Sequence, residues 1–245
     1  TMIASITPYY PSGNSLTRLD IDCNDIQEKL LYCNTINSFV FDYILRLKCS
    51  GSNLNAFILK ECPLIDVNKI VKYSKDVIKY SASLQLCNKV FAKEWIELMY
   101  KNQNLKEYNW YSLWALTDNE RLRLRCILDA VVAEMYGLDY DDLAWILKDD
   151  PTDPKGFWRV DKDKPVNMRH TTLTLVAFKR LKEIGIESFL KEDWQLPEDV
   201  AEAMGPRFLD WQLEKSVEES WKECEEHARA FLGDQEYEEF INSLK

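Results

Sequence analysis

Apolar side chains recur at three- and four-residue spacing along most of this chain, which predicts a mainly α protein. The sharpest early case is Ile36, Phe39, Val40, Tyr43, Ile44 and Leu47, which share one helical face, with Asp42, Arg46 and Lys48 elsewhere on the wheel. Ser50, Gly51, Ser52 and Asn53 then stop that helix, because Gly51 adopts a positive φ cheaply. Leu54, Ala56 and Ile58 alternate with Asn55, Phe57 and Leu59, a pattern that predicts a short strand ending at Pro63. Thr1 to Tyr9 also reads as a strand, followed by a turn over residues 11–15. The predicted fold class is therefore mainly α: a helical, bundle-like body with a small N-terminal β element formed by the segments around Met2 and Asn55.

Further along, Val67 to Tyr80 predicts an amphipathic helix whose polar face carries Lys69, Lys72, Lys75 and Lys79. Leu84 to Tyr100 predicts another helix. Tyr108, Trp110, Tyr111 and Trp114 form an aromatic cluster, which is more often core than a platform for unpaired bases. Thr117 and Glu120 have the spacing of a capping box, and Leu124, Ile127, Leu128, Val131, Val132 and Met135 form the stripe of the helix they open. Gly137 closes it, and Asp139 caps a second helix over Tyr140 to Leu147. Asp149 to Asn167 predicts a long loop with a short strand at Phe157 to Val160. A helix then starts near Met168 to Thr172 and ends at Gly185. After a linker at Glu192 to Pro197, long and short acidic helices cover Trp211 to Phe231 and Glu236 to Leu244. This divides the chain into residues 1–66, a helical unit at 67–190 and acidic C-terminal helices at 191–245.

Charge changes this picture in one respect. The net charge of −10 lies in the last 55 residues, which carry six basic and sixteen acidic side chains, whereas residues 67–133 carry eleven and seven. A mildly basic middle can touch an anion while the acidic end turns elsewhere. With 46% hydrophobic residues and 7 glycines in 245, the chain can bury a large core. No apolar run reaches the length of a membrane span, and the start is no signal peptide. The TMIAS opening reads as the interior of a longer protein. Seven cysteines without a CxxC pair predict free thiols and a cytoplasmic setting.

Candidate chemistry is sparse. Arg121, Arg123 and Arg125 crowd the first turns of a helix, where the dipole favours acids, so phosphate or partner contact and plain solvation both stay open. Arg169 and His170 sit at another helix start, and His170 has no visible nucleophile or carboxylate partner motif. Asp139, Asp141 and Asp142 are explained better by capping than by a metal, and no metal site is expected.

The run NTINSFVFDYILRLKCSGSNLNAFILKECPL resembles the specificity region of adenine-specific DNA methyltransferases from combined restriction–modification enzymes, which carry NSFVFDYxxRxKxGGTHLNxFILKQLPV. The opening TMIAS, the run ERLRLRCILDAVVAEMYGLDYDDLAWIL and the run WRVDKDKPVNMRHTTLTLVAFKRLKEIG are similar to other parts of the same family. The resemblance spans residues 1–64, 117–148 and 157–196, over half the chain. Ser50, Gly51, Ser52 and Asn53 stand where the family has Gly-Gly-Thr-His, so no role of a turn histidine carries over.

The resemblance implies a remnant of a target-recognition domain beside duplex DNA, in a restriction–modification or phage-defence protein. Arg46, Lys48, Ser50, Gly51, Ser52, Asn53, Asn55 and Lys60 are its candidate DNA contacts, with Arg121, Arg123, Arg125, Arg169 and His170 as further DNA or partner contacts. The chain lacks the Asn/Asp-Pro-Pro-Tyr/Phe quartet, a glycine-rich methyl-donor loop and a nuclease constellation. It is therefore expected not to catalyse alone and to bind no cofactor. S-adenosylmethionine is implied for an upstream methyltransferase domain of the same polypeptide. The alternative is an acidic module that docks that enzyme to a helicase or nuclease subunit.

Overall fold

The structure, a computed structural model, describes residues 3–8, 25–49, 56–65 and 74–244. Its elements follow from the apolar stripes and their caps. Asp25 accepts from the Gln27 amide and opens α1 (Ile26–Asn37). Ser38 breaks the run and caps α2 (Phe39–Lys48), accepting from the Phe41 amide. After α3 (Ala56–Lys60) and α4 (Ser74–Gln85), the predicted Leu84–Tyr100 helix is divided. Asn88 caps a 3₁₀ turn there before α5 (Ala92–Lys101).

Thr117 caps α6 (Asp118–Met135), the long central helix, and a full Asp139–Asp142 capping box opens α7 (Tyr140–Ile146). α8 (His170–Ile184) ends at Gly185 with φ 79° and leads into α9 (Ile186–Lys191) and α10 (Glu198–Met204). A Ser216–Glu219 capping box starts α11 (Val217–Leu232), and α12 (Asp234–Leu244) follows. That box places the start of α11 well after Trp211, which sits in a separate 3₁₀ turn.

The β element is corrected. Among the described residues there is no strand. Ala56–Lys60, expected to be extended, is the short helix α3, and Phe57 faces solvent while Ile58 and Leu59 lean on a small cluster of Ile36, Phe41, Leu45 and Cys62. A five- or six-residue apolar run does not separate strand from helix by itself. With no neighbouring strand to take its amides, the segment bonds to itself. The other half of the expected pair, residues 3–8, has no regular structure. Its Ala4 N–H and C=O both bond to the Asn37 side-chain amide, at 2.8 and 2.9 Å, so one side chain does what a partner strand would. Phe157–Val160 is likewise a turn, closed by a bond from the Val160 amide to the Phe157 carbonyl, rather than a strand.

The core runs from Ile26 in α1 to Ile241 in α12. α6 packs along α8, α1 along α4, and α11 along α5. The acidic α11 buries Trp221, Cys224 and Ala228. Its Ser220 hydroxyl accepts from the Trp110 amide, and Trp221 Nε1 donates to the Tyr108 carbonyl. The aromatic cluster is core: Trp110, Tyr111 and Trp114 are buried with rings about 5 Å apart, and Tyr108 alone is exposed. No helix among the described residues is long and apolar enough to cross a membrane.

Candidate functional site: a junction at the start of α2 and the cleft beside it

The start of α2 is where side chains from distant parts of the chain meet. Its first amide, Phe39 N–H, donates to Oδ1 of Asp129 on α6 at 2.9 Å. A buried carboxylate here neutralises a helix N-terminus and satisfies an amide that has no intrahelical acceptor. Asp129 Oδ2 lies 2.9 Å from His170 Nε2, at the start of α8. Arg125 Nη2 lies 3.0 Å from His170 Nδ1. A guanidinium can only donate, so Nδ1 accepts and the ring proton sits on Nε2, close to Asp129 but outside hydrogen-bond geometry. The imidazole is thus held neutral. Burial drives its pKa below the usual 6.5, outweighing the support of Asp129, and the Arg125 charge pushes the same way.

This arrangement has the acid and base of a catalytic relay but no nucleophile. Ser38 Oγ is occupied in its own cap, and the Cys126 thiol is fully buried with its pKa pushed well up by desolvation. His170 is a positioning group that joins three helices, and its buried ring stacks 4.5 Å from Phe39.

The sign of its pH dependence follows. Above the unfolded value of 6.5 both states carry neutral His170. As pH falls below that value, the unfolded chain takes a proton that the folded chain does not, so stability falls through the window down to the depressed folded value. The expected slope is at most about 1.4 kcal/mol per pH unit. Unfolding of the His170→Gln variant between pH 7 and pH 4 should lack this component; an unchanged acid limb would refute the assignment.

Phe157 completes the junction. Its fully buried ring meets Phe39 edge-on at 4.9 Å, and the Arg46 guanidinium lies 4.0 Å above it. Arg46 also pairs with Asp42 at 3.0 Å and donates to the carbonyls of Lys155 and Gly156. Lys155 Nζ donates in turn to the Cys49 carbonyl. The loop carrying residues 153–157 is therefore bolted to the side and end of α2.

The sequence candidates fall into different places. Arg46 points into the protein, against Phe157, rather than out to a ligand. Lys48 is exposed, 3.8 Å from Glu61, and Lys60 is exposed. Ser50, Gly51, Ser52, Asn53 and Asn55 lie outside the described residues. Arg123, with side-chain exposure of 2%, is in the core and not at a contact surface. It donates to both oxygens of Glu120 (2.9 and 2.7 Å), to Asp193 (2.9 Å) and to the Trp194 carbonyl. Arg207 approaches the same carboxylate at 2.7 Å. Burial would raise the Glu120 carboxyl, but these two guanidiniums outweigh it and hold it below the usual range. Glu120 therefore faces Arg123 and Arg207 rather than reaching back to complete the capping box with Thr117. Arg169 pairs with Asp149 at 2.9 Å and donates to the carbonyls of Lys162 and Lys164.

Arg121 and Arg125, one helical turn apart and both exposed, border a cleft of about 450 Å³. Arg121 donates to the Ala115 carbonyl. Opposite them stand Asn34 of α1 and Ser81 and Gln85 of α4, with Asp129 deeper in and residues 3–5 at one edge. The sequence reading missed Asp129 and Ser81. The available signal for Asp129 was an acid set inside the apolar stripe, next to Leu128 and one turn before Val132. Ser81 gave none. No group of three or more His, Cys, Asp or Glu side chains is placed to hold a metal among the described residues.

Comparison with family models, with curated proteins and with solved structures finds no match to this chain.

Proposed function

We propose that this chain is the C-terminal, non-catalytic region of an adenine-specific DNA methyltransferase of the restriction–modification or phage-defence kind, and that it positions duplex DNA for chemistry performed by an upstream domain. One observation carries the reading. The three runs that resemble the family meet on α2: Ser38 and Phe39 at its start and Arg46 in its last turn come from the first, Asp129 from the second, Phe157 and His170 from the third. Residues that hold one another are what a shared fold would retain as a pattern, so the convergence supports the resemblance as a fold signature. It also reassigns roles. Arg46, Arg123 and His170 are scaffold, which leaves Lys48, Lys60 and residues 50–53 and 55 to meet phosphate. The methyl donor, S-adenosylmethionine, would be held upstream, since no glycine-rich loop for it occurs here.

Duplex binding measured at low and moderate salt tests this. The Lys48→Ala/Lys60→Ala variant should keep its thermal midpoint and lose affinity, with the salt slope reduced by about 2, one per lysine removed from a phosphate. Absence of binding by the wild-type chain even at low salt would overturn the positioning role. It would leave the second reading, a docking module for a helicase or nuclease subunit. That reading is favoured by one feature: the exposed Leu209, Trp211 and Leu213 lead directly in sequence into the acidic helices α11 and α12. An apolar strip with an acidic border suits a protein partner and repels DNA.

A further inference from the structure

The cleft between α1, α4 and α6 is occupied by none of the interactions that hold the junction together. Asn37 in its wall is engaged with Ala4 and Cys33, Ser38 with its cap, and Asp129 with Phe39 and His170. What remains is unusual for a structural groove. Asn34 and Gln85 make no side-chain hydrogen bond among the described residues. Ser81, 2% exposed, has a buried hydroxyl with no partner. An unsatisfied buried hydroxyl costs free energy and calls for a reason.

On the facing wall, Arg121 and Arg125 stand at i and i+4 on α6, so their guanidiniums lie on the same face. Arg121 donates to the Ala115 carbonyl and reaches the Cys87 thiol, Arg125 donates to His170, and each guanidinium keeps donors over. With two arginines against the single carboxylate of Asp129, and with His170 neutral, the cleft is net positive. Its volume, about 450 Å³, lies within the range of small-molecule sites. Leu84, Leu128 and Ile3 add apolar lining.

The geometry points to a binding site for a nucleotide unit: a phosphate held by Arg121 and Arg125, and a planar base read by the idle amides of Asn34 and Gln85 with Ser81 beside them. Paired guanidiniums suit a phosphate's oxygens, and carboxamides offer the donor–acceptor pair that matches a purine edge. The apolar lining suits the faces of a ring. The site does not depend on the methyltransferase reading, because it is built from residues that the family resemblance does not assign to one pocket. The same chemistry can come from a free mononucleotide or from one nucleotide of a DNA strand.

Calorimetric titration of the full chain with 5′-AMP, adenosine and a short DNA duplex decides it, with thermal unfolding of each variant alongside. AMP should bind, and Arg121→Gln should weaken it by about tenfold or more, the loss expected for a charge-assisted phosphate contact. Arg121 is exposed, so this variant should stay folded. Ser81→Ala should weaken AMP binding several-fold while leaving the thermal midpoint equal or higher, because an unpartnered hydroxyl has been removed. A purely structural Ser81 would not move the affinity. Competition between duplex and AMP would assign the ligand to a DNA strand, and AMP binding that duplex does not displace would assign it to a free nucleotide. Three results would overturn the site: no AMP binding by the wild-type chain, affinity untouched by both variants, or adenosine binding as tightly as AMP.

Discussion

Replacing Arg123 with alanine should destabilise the protein by about 3–5 kcal/mol, the range for removing one partner of a buried ion pair. The side chain is 2% exposed and makes four hydrogen bonds, two of them to Glu120. Without it, Glu120 keeps only Arg207, whose own side chain is partly exposed. The buried carboxylate then has one guanidinium to offset its desolvation instead of two. Asp193, whose backbone φ is 50°, and the neighbouring Trp194 carbonyl lose the donor that holds this turn against α6. Urea unfolding of Arg123→Ala measures the effect. A variant that unfolds at the wild-type midpoint but loses DNA affinity would return Arg123 to the contact surface and sink the core assignment.

Phe157→Ala should cost a comparable amount, about 3–5 kcal/mol, the range for removing a buried phenyl ring from a core that cannot close around the gap. The ring is held between Phe39 and the Arg46 guanidinium, with Tyr43 further out at 6.5 Å. Its loss therefore takes away a cation–π contact as well as apolar burial. The Arg46 bonds to the Lys155 and Gly156 carbonyls would remain, so the loop should loosen without detaching entirely. Hydrogen exchange should rise most around residues 153–160 and in the first turn of α2. Uniform exchange across the chain, with no local rise there, would show that Phe157 is not the tie between loop and helix.

The helices and most of their ends could be read from the sequence because they depend on local rules. The stripe of α2, the Thr117 cap of α6, the Asp139 cap of α7 and the Gly185 stop all appear where spacing and residue type put them. The strand expected to end at Pro63 is, over Ala56–Lys60, the helix α3: its apolar run is short, and the choice between helix and strand was settled by whether a neighbour could accept its amides. The arginines failed for a related reason. Arg121, Arg123 and Arg125 looked misplaced against the helix dipole. Their compensation comes from Ala115, from Glu120 with Asp193, and from His170, the last two pairings spanning 70 and 45 residues. Arg46 is the same case, since its aromatic and carbonyl partners lie about 110 residues away. A positive side chain on a polar helix position reads alike whether it meets water, phosphate or a phenyl ring. Nothing local in the sequence marks the cleft, because its walls come from α1, α4 and α6 and its idle groups are recognised only by what fails to reach them.

The paired bonds between Asn37 and Ala4 have a mechanical consequence. Asn37 is the last residue of α1, and the next residue caps α2, so the segment at residues 3–8 is tied at the joint between two helices, with Ile6 held further back along α1 at Cys33. A pull on that segment would act first on this joint. The load would be carried by two hydrogen bonds on a single amide, and it would enter the molecule at the rim of the cleft, two residues from the amide that Asp129 holds.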